Sequence, residues 1–231
     1  MRTKENKTIA FATRSMNRRL FELCNSLLGQ NDCEHYRIEG TEADEYFYKL
    51  LTLDEDWIVN IDEDAFVTNP ERLFSMLNFM EENNYVCSGM PDGGVCSHRF
   101  HNPVVPNAFF NIINIAAIRD EFSLIEARPL VHTSEYEKTL PRELLRTKYE
   151  YDNFEPYYPF FYWLLKREKK ILYQDALDWN RDTTSTVLLD QEKKPLLIHC
   201  WYSRVFDDQP ERFIKTAEFA KSVQNSLKSK K

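Results

Sequence analysis

Glycine is scarce in this chain, cysteine comes in an odd number, and no apolar run approaches the length that a bilayer demands. Each shortage closes off a class. The five glycines, Gly29, Gly40, Gly89, Gly93 and Gly94, spell neither G-x-G-x-x-G nor G-x-x-x-x-G-K, the loops that dinucleotide dehydrogenases and P-loop kinases wrap around phosphates. The zinc-protease H-E-x-x-H and the hydrolase G-x-S-x-G are missing as well. Cys24, Cys33, Cys87, Cys96 and Cys200 contain no C-x-x-C pair. They read as small core residues in a reducing compartment and not as a disulfide framework. A formal charge of -7 with no basic stripe argues against a nucleic-acid partner, which needs cations to neutralise phosphates. The charged opening Met1 to Lys7 runs directly into Thr8-Ile9-Ala10-Phe11-Ala12 without a signal-peptide core, and a cytoplasmic protein is expected.

What is present is enough apolar material, 42% of 231 residues with 14% aromatic, to fill a full core, and one domain spanning 1–231 is expected. Thr8 to Thr13 reads as a buried strand. Leu20, Leu23, Leu27 and Leu28 follow at helical spacing, with Gly29 as the stop. A weak strand near His35 to Glu39 precedes a helix with Tyr46, Phe47, Leu50 and Leu51 on one face and Thr41 as its cap. Trp57-Ile58-Val59-Asn60-Ile61 is the clearest strand. Asn69-Pro70 opens a helix through Leu73, Phe74, Leu77 and Met80 that Asn83-Asn84 ends. Tyr85 to Ser88 is strand-like, and 89–107, holding three glycines and three prolines, reads as a long functional loop. Ala108 to Ile118 is apolar again, and Pro129 to Pro141 is irregular. A helix from Pro156, strands at Ile171–Tyr173 and Leu196–Ile198, and a terminal helix with a basic tail over 209–231 complete the pattern. Alternating strands and helices predict an α/β fold with a mixed central sheet flanked by helices.

Asp62-Glu63-Asp64 follows the clearest strand directly, at its carboxyl end, where open α/β sheets bind ligands. Residues two apart on an extended chain point the same way, so Asp62 and Asp64 are expected to share a hard divalent cation that keeps positions open for phosphate oxygens. Asp54-Glu55-Asp56 has the same composition but precedes that strand, and reads as a helix-to-strand turn.

In these residues the chain resembles the GT-A glycosyltransferases, whose hallmark is an acidic D-x-D triplet after a hydrophobic strand, matched by Ile58 to Asp64. Phe11-Ala12-Thr13-Arg14-Ser15-Met16-Asn17-Arg18 is similar to their first strand and turn. Phe110-Asn111-Ile112-Ile113 resembles their F-N-x-G segment, with Ile113 where glycine is usual. The resemblance implies a single-domain GT-A fold, a donor that is a nucleoside-diphosphate sugar (UDP-sugar first), Mn2+ or Mg2+, and a saccharide or lipid-linked glycan acceptor. It implies Asp64 as direct metal ligand, Asp62 on the metal or the ribose, and Thr13 and Arg14 near the nucleotide. His199-Cys200-Trp201-Tyr202-Ser203-Arg204 is similar to the late H-x-x-G-x-K pattern, with Tyr202 and Arg204 in place of glycine and lysine. By it, His199 is a third metal ligand and Arg204 sits on the diphosphate, where a guanidinium can bridge two oxygens. The alternative for Arg204 is a surface pair with Asp207 or Asp208.

Asp152 and Glu155, ahead of the helix at Pro156, are the candidates for a catalytic base that takes the acceptor hydroxyl proton. Their alternative is helix capping. Cys96, His98 and His101 spell C-x-H-x-x-H, which lacks a fourth zinc ligand and reads as a substrate loop. Tyr157, Tyr158, Trp179, Trp201 and Tyr202 are available to stack on sugars. Lys221, Lys228, Lys230 and Lys231 offer at most a weak peripheral contact with an anionic membrane. Two rival readings stand: another metal-dependent enzyme on phosphate substrates, such as a nucleotidyltransferase or phosphoesterase, and an inactive carbohydrate-binding module.

Overall fold

The computed structural model describes residues 3, 6–29 and 31–229; Lys230 and Lys231 of the basic tail lie outside them, as do Met1, Arg2, Lys4 and Glu5 of the opening segment. The first strand is β1 (Ile9–Arg14), buried from Ile9 to Thr13 with Arg14 half-buried at its end, followed by α1 (Arg18–Asn25), capped by the Asn17 side chain on the Arg19 and Leu20 amides. β2 (Glu34–Ile38) and α2 (Ala43–Leu50) follow. The cap of α2 is Glu42 and not Thr41: Glu42 and Glu45 exchange backbone bonds in a capping box, and Thr41 stays outside.

β3 (Trp57–Ile61) is buried at every position, β4 (Ala65–Val67) follows after three residues, and α3 (Pro70–Glu82) begins at the expected Asn69 cap with proline first. β5 (Tyr85–Gly89), β6 (Phe110–Asn114), the single turn α4 (Leu124–Ala127), and α5 (Tyr158–Lys166) come next. α5 buries seven of nine side chains, Tyr158 and Phe160 to Leu165, so it is enclosed on nearly all sides. β7 (Lys170–Tyr173), β8 (Ala176–Asp178), β9 (Thr186–Leu189), β10 (Pro195–His199) and α6 (Pro210–Lys228) end the chain.

Six strands form a mixed central sheet in the order β2-β1-β3-β6-β5-β7, flanked by helices. β1 runs parallel to β2 and β3, and β6 antiparallel to β3 and β5. A second sheet, β4-β10-β9-β8, is antiparallel throughout. One hydrophobic core joins both: Ile58 and Phe110 from the first sheet and Phe66 and Leu197 from the second belong to the same cluster. The second sheet was not expected from the sequence, because β4 and β8 are three residues each and carry almost no periodicity.

Beyond Gly89, the last residue of β5, the segment to 107 has no regular strand or helix, as expected, yet it is packed and not loose. Isolated bridges join Pro91 to Pro106 and Gly93 to Phe100, and Met90, Val95, Val104 and Val105 are buried. Asn111 of β6 donates to the carbonyls of Ser88 and Asn107. Ile113 stands where the resembling segment has glycine, and the close backbone approach is made at Gly89, where a Cβ would lie 2.5 Å from Asn111 Nδ2.

Candidate metal centre and cleft

Asp62, Glu63 and Asp64 are the corner at which the chain leaves the central sheet for the second one. The Asp62 amide donates to the Phe109 carbonyl at 2.8 Å, continuing the β3–β6 ladder one residue further, and the Ala65 amide donates back to the Asp62 carbonyl at 3.0 Å. The triplet is therefore a turn. Asp62 and Asp64 converge because a turn folds them inward, not because an extended chain alternates.

β10 arrives antiparallel to β4, with His199 opposite Ala65. The Cys200 amide donates to the Asp64 carbonyl at 3.0 Å, which fixes the last pairing and sets the two side chains together: His199 Nε2 is 3.1 Å from Asp64 Oδ1. One donor atom each from Asp62, Asp64 and His199 lies within 4.8 Å of the others, and among the described residues no other group of three acidic, histidine or cysteine side chains does so. Cys96, His98 and His101 in particular do not converge. His98 Nε2 stands 3.9 Å from Asp178, and His101 Nδ1 stands 2.7 Å from Asp152.

The donor set fits a divalent cation. Two donors each about 2.1 Å from one ion and at right angles are about 3.0 Å apart, close to the observed spacing. Asp64 and His199 are each 2% exposed. The Asp62 carboxyl is held well above the usual carboxylate range, first by burial and then by the charge of Asp64, a repulsion that a cation between them would reverse. His199 Nδ1 is buried with no hydrogen-bond partner, so the imidazole is short of a partner as it stands. Its plane is fixed by Phe109, stacked at 4.2 Å and 7°, and by Trp201 at 4.2 Å. Trp201 is anchored in turn by its indole N–H on Thr186 Oγ1 at 3.0 Å.

After β10 the backbone passes through two left-handed residues, Trp201 at φ 58° and Tyr202 at φ 62°. Position 202 is where the resembling pattern has glycine, and the conformation that glycine would permit is kept here by a tyrosine, at a cost of about 1–2 kcal/mol. That bend turns Tyr202, Ser203 and Arg204 into the cleft.

Arg14, Met16, Asp62, Asp64, Arg99, Glu155, His199, Tyr202 and Arg204 line one continuous cleft, and Arg14 and Met16 lead from it into a second hollow bounded by Ser15 and residues 39–42. Arg14 and Arg204 form no ion pair among the described residues, and Arg204 lies over the ring of Tyr202 at 5.8 Å. The expected alternative, a pair with Asp207 or Asp208, is not formed; Asp207 accepts from Asn17 Nδ2 instead. Thr13 is fully buried and its hydroxyl is 3.0 Å from His35 Nε2, so it supports the turn from beneath and does not line the cleft.

Of the two carboxylates ahead of α5, Glu155 lines the cleft and Asp152 does not. Neither caps the helix: α5 starts at Tyr158, and no side chain bonds its first turn. Asp152 faces His101, while Glu155 accepts from Arg99 Nη2 at 3.0 Å. Tyr157 and Tyr158 are buried and Trp201 nearly so, which leaves Tyr202 as the aromatic of the expected set that is open in the cleft.

Two contributors were missed in the sequence. Glu63, the middle residue of the triplet, is buried and points away from Asp62 and Asp64. Its carboxylate accepts from Ser15 Oγ at 2.9 Å and from the Met16 and Asn17 amides at 3.1 Å, tying the turn after β1 to the acidic corner. Asp92, fully buried, accepts from Arg99 Nε at 2.5 Å and Nη2 at 2.6 Å, from Asn107 at 2.6 Å and from Tyr158. This pair aims Arg99 at Glu155. Its one sequence signal is a lone acid seven residues before an arginine in a glycine-rich loop.

No protein-family model matches the chain, and no curated protein matches its sequence. Among solved structures it is similar to a mannosyltransferase from Pyrobaculum calidifontis in complex with GDP-Man and Mn2+, with TM-score 0.38 and 8% identity over 62% of this chain and 54% of that one. It is also similar to the glycosyltransferase GlyE of Streptococcus pneumoniae TIGR4, with TM-score 0.41 and 15% identity over 97% of this chain and 63% of that one. The chain thus spans less than two thirds of either. Likeness this loose assigns no residue, and the function proposed below rests on the donor set and the cleft.

Proposed function

We propose that the chain is a metal-dependent glycosyltransferase of GT-A type that moves a hexose from a nucleoside-diphosphate sugar to a saccharide or lipid-linked glycan. The observation that carries this is the Asp62–Asp64–His199 set, Asp64 and His199 buried and Asp62 half-buried, lining a cleft with Arg14 and Arg204, which form no ion pair among the described residues. Two carboxylates and an imidazole suit Mn2+ or Mg2+. When bound, the cation would offset the charge of the departing diphosphate.

The chain's own groups do the rest. Arg14 and Arg204, without an ion pair among the described residues, are available to phosphate oxygens, and Arg204 can bridge two of them. As the bond from the sugar's anomeric carbon to the phosphate oxygen breaks, a new one forms to the acceptor hydroxyl oxygen. In an inverting reaction Glu155 takes that hydroxyl's proton; the Arg99 bond holds one of its oxygens and fixes the carboxylate in the cleft. Asp152, turned onto His101, is set aside as the base. UDP is the base put first, as the resemblance implies, and GDP second.

A nucleotidyltransferase or phosphoesterase working through paired metals calls for a second ligand cluster, and the described residues contain one cluster only. Among the described residues no helix is long and apolar enough to cross a membrane. Lys221 and Lys228 of α6 would mediate any weak contact with an anionic surface.

Release of UDP from UDP-hexoses and of GDP from GDP-hexoses, with and without Mn2+, tests the reading. We expect one donor series to be cleaved only with metal, His199→Ala to lose most of that activity, and Glu155→Gln to lose transfer while still binding donor. Cleavage of neither series excludes the reading, and inactivity of a well-folded protein that binds nucleotide favours a binding module.

A further inference from the structure

The cleft does not end at Glu155. Phe154 and Phe100, the chain neighbours of the cleft residues Glu155 and Arg99, are 59% and 44% exposed, unusual openness for two phenylalanines on adjacent loops. They are held rigidly. His101 lies between them, stacked on Phe154 at 3.9 Å and on Phe100 at 4.9 Å, and its Nδ1 is fixed 2.7 Å from Asp152. The strip continues along the same loop to Tyr151, itself 40% exposed and stacked on His132 at 4.6 Å. The His132 amide donates to Asn153, which ties the two ends together. Apolar ring surface therefore alternates with carboxylate, imidazole and amide groups, starting at the wall of the metal cleft.

We propose that this strip is the acceptor subsite and that its occupant is an oligosaccharide chain whose terminal residue enters the cleft at Glu155. The inference rests on the glycosyltransferase reading above. A pyranose ring has the matching duality, a C–H face that packs on an aromatic ring and hydroxyl edges that bond to exposed polar side chains such as Asn153. Rings locked by stacking lose little freedom when a ligand covers them. A second nucleotide is a poorer match, since the arginine closest to the strip, Arg99, is committed to Asp92 and Glu155 and leaves phosphate no free guanidinium there.

The test is saturation-transfer NMR on the Mg2+-loaded full chain with maltotriose, cellotriose, mannotriose and chitotriose, with UDP and GDP binding measured in parallel. We expect at least one trisaccharide to bind through its ring C–H protons. Phe154→Ala should weaken it by about fivefold or more, Phe154→Trp should retain it, and nucleotide affinity should not change in either variant. Phe154 is exposed, so both variants should fold, as unchanged thermal midpoints would show. Binding of nucleotide but of no trisaccharide overturns the inference alone, as does trisaccharide binding that ignores Phe154→Ala or a nucleotide affinity that follows Phe154. Binding of neither nucleotide overturns the underlying reading instead.

Discussion

Glu63 shows how one side chain can serve the site without touching it. Its carboxylate collects the Ser15 hydroxyl and the Met16 and Asn17 amides, and Arg37 Nε holds the same Ser15 oxygen at 3.0 Å. Glutamine in its place would turn an amide N–H toward backbone N–H donors. Glu63→Gln should lower stability by about 1–3 kcal/mol and weaken nucleotide binding about tenfold, with Mn2+ binding by the intact Asp62, Asp64 and His199 retained. Calorimetry on the variant checks this, and parental nucleotide affinity would show that the turn does not position the ligand. His35 works the same way from the other side. Its Nδ1 is 2.7 Å from Asn25 Oδ1 and its Nε2 accepts from Thr13, while burial pushes its pKa down to about 4. The unfolded chain takes up that proton near about pH 6.5, so between the two values the unfolded state binds more protons and stability falls as pH falls. From about pH 7 to about pH 5 this contributes a loss of about 2 kcal/mol. Denaturant midpoints of the parent and of His35→Gln at both pH values should differ by that slope, and parallel profiles would contradict it.

Among the elements, those with a run of like residues were legible: β3 as five buried residues, α3 from its Asn69-Pro70 start, β1 from Thr8 onward. The carboxyl end of β3 was legible for the same reason, and with it the acidic corner. The register that brings His199 opposite Ala65 was not, since a pairing between residues 134 positions apart leaves no trace in local pattern. Nor was the packed segment 89–107, whose order comes from the pair of buried Asp92 with half-buried Arg99 and from Gly93. A Cβ on Gly93 would lie 2.0 Å from the His101 carbonyl oxygen, and that backbone has no room to yield. Gly93→Ala should cost about 1–3 kcal/mol and displace Arg99, reducing transfer along with stability. A urea midpoint equal to the parent's would mean that the two arms of this segment are not pressed together as described.

On the scale of the molecule the site lies at the seam of two sheets. The central sheet supplies Arg14 and the acidic corner, the second sheet supplies His199 and the bend that delivers Arg204, and the segments around α5 supply Glu155. None of these layers holds the site alone, which is why local motif could name Arg14, Asp62, Asp64, Glu155, His199 and Arg204 as candidates while their meeting in one cleft, and the support from Glu63 and Asp92, had to be found in the fold. A chain of net charge -7 is a poor host for an anionic donor unless positive charge is local, and Arg14 and Arg204, without an ion pair among the described residues, face one cleft with the Asp62–Asp64–His199 donor set. Titration of UDP and of GDP, each with and without Mn2+, into the parent and into Asp64→Ala is the direct test. One nucleotide should bind at least about 100-fold more tightly with Mn2+, and Asp64→Ala should abolish that dependence; binding of neither, or binding indifferent to both metal and Asp64, would contradict a metal-dependent nucleotide-sugar site.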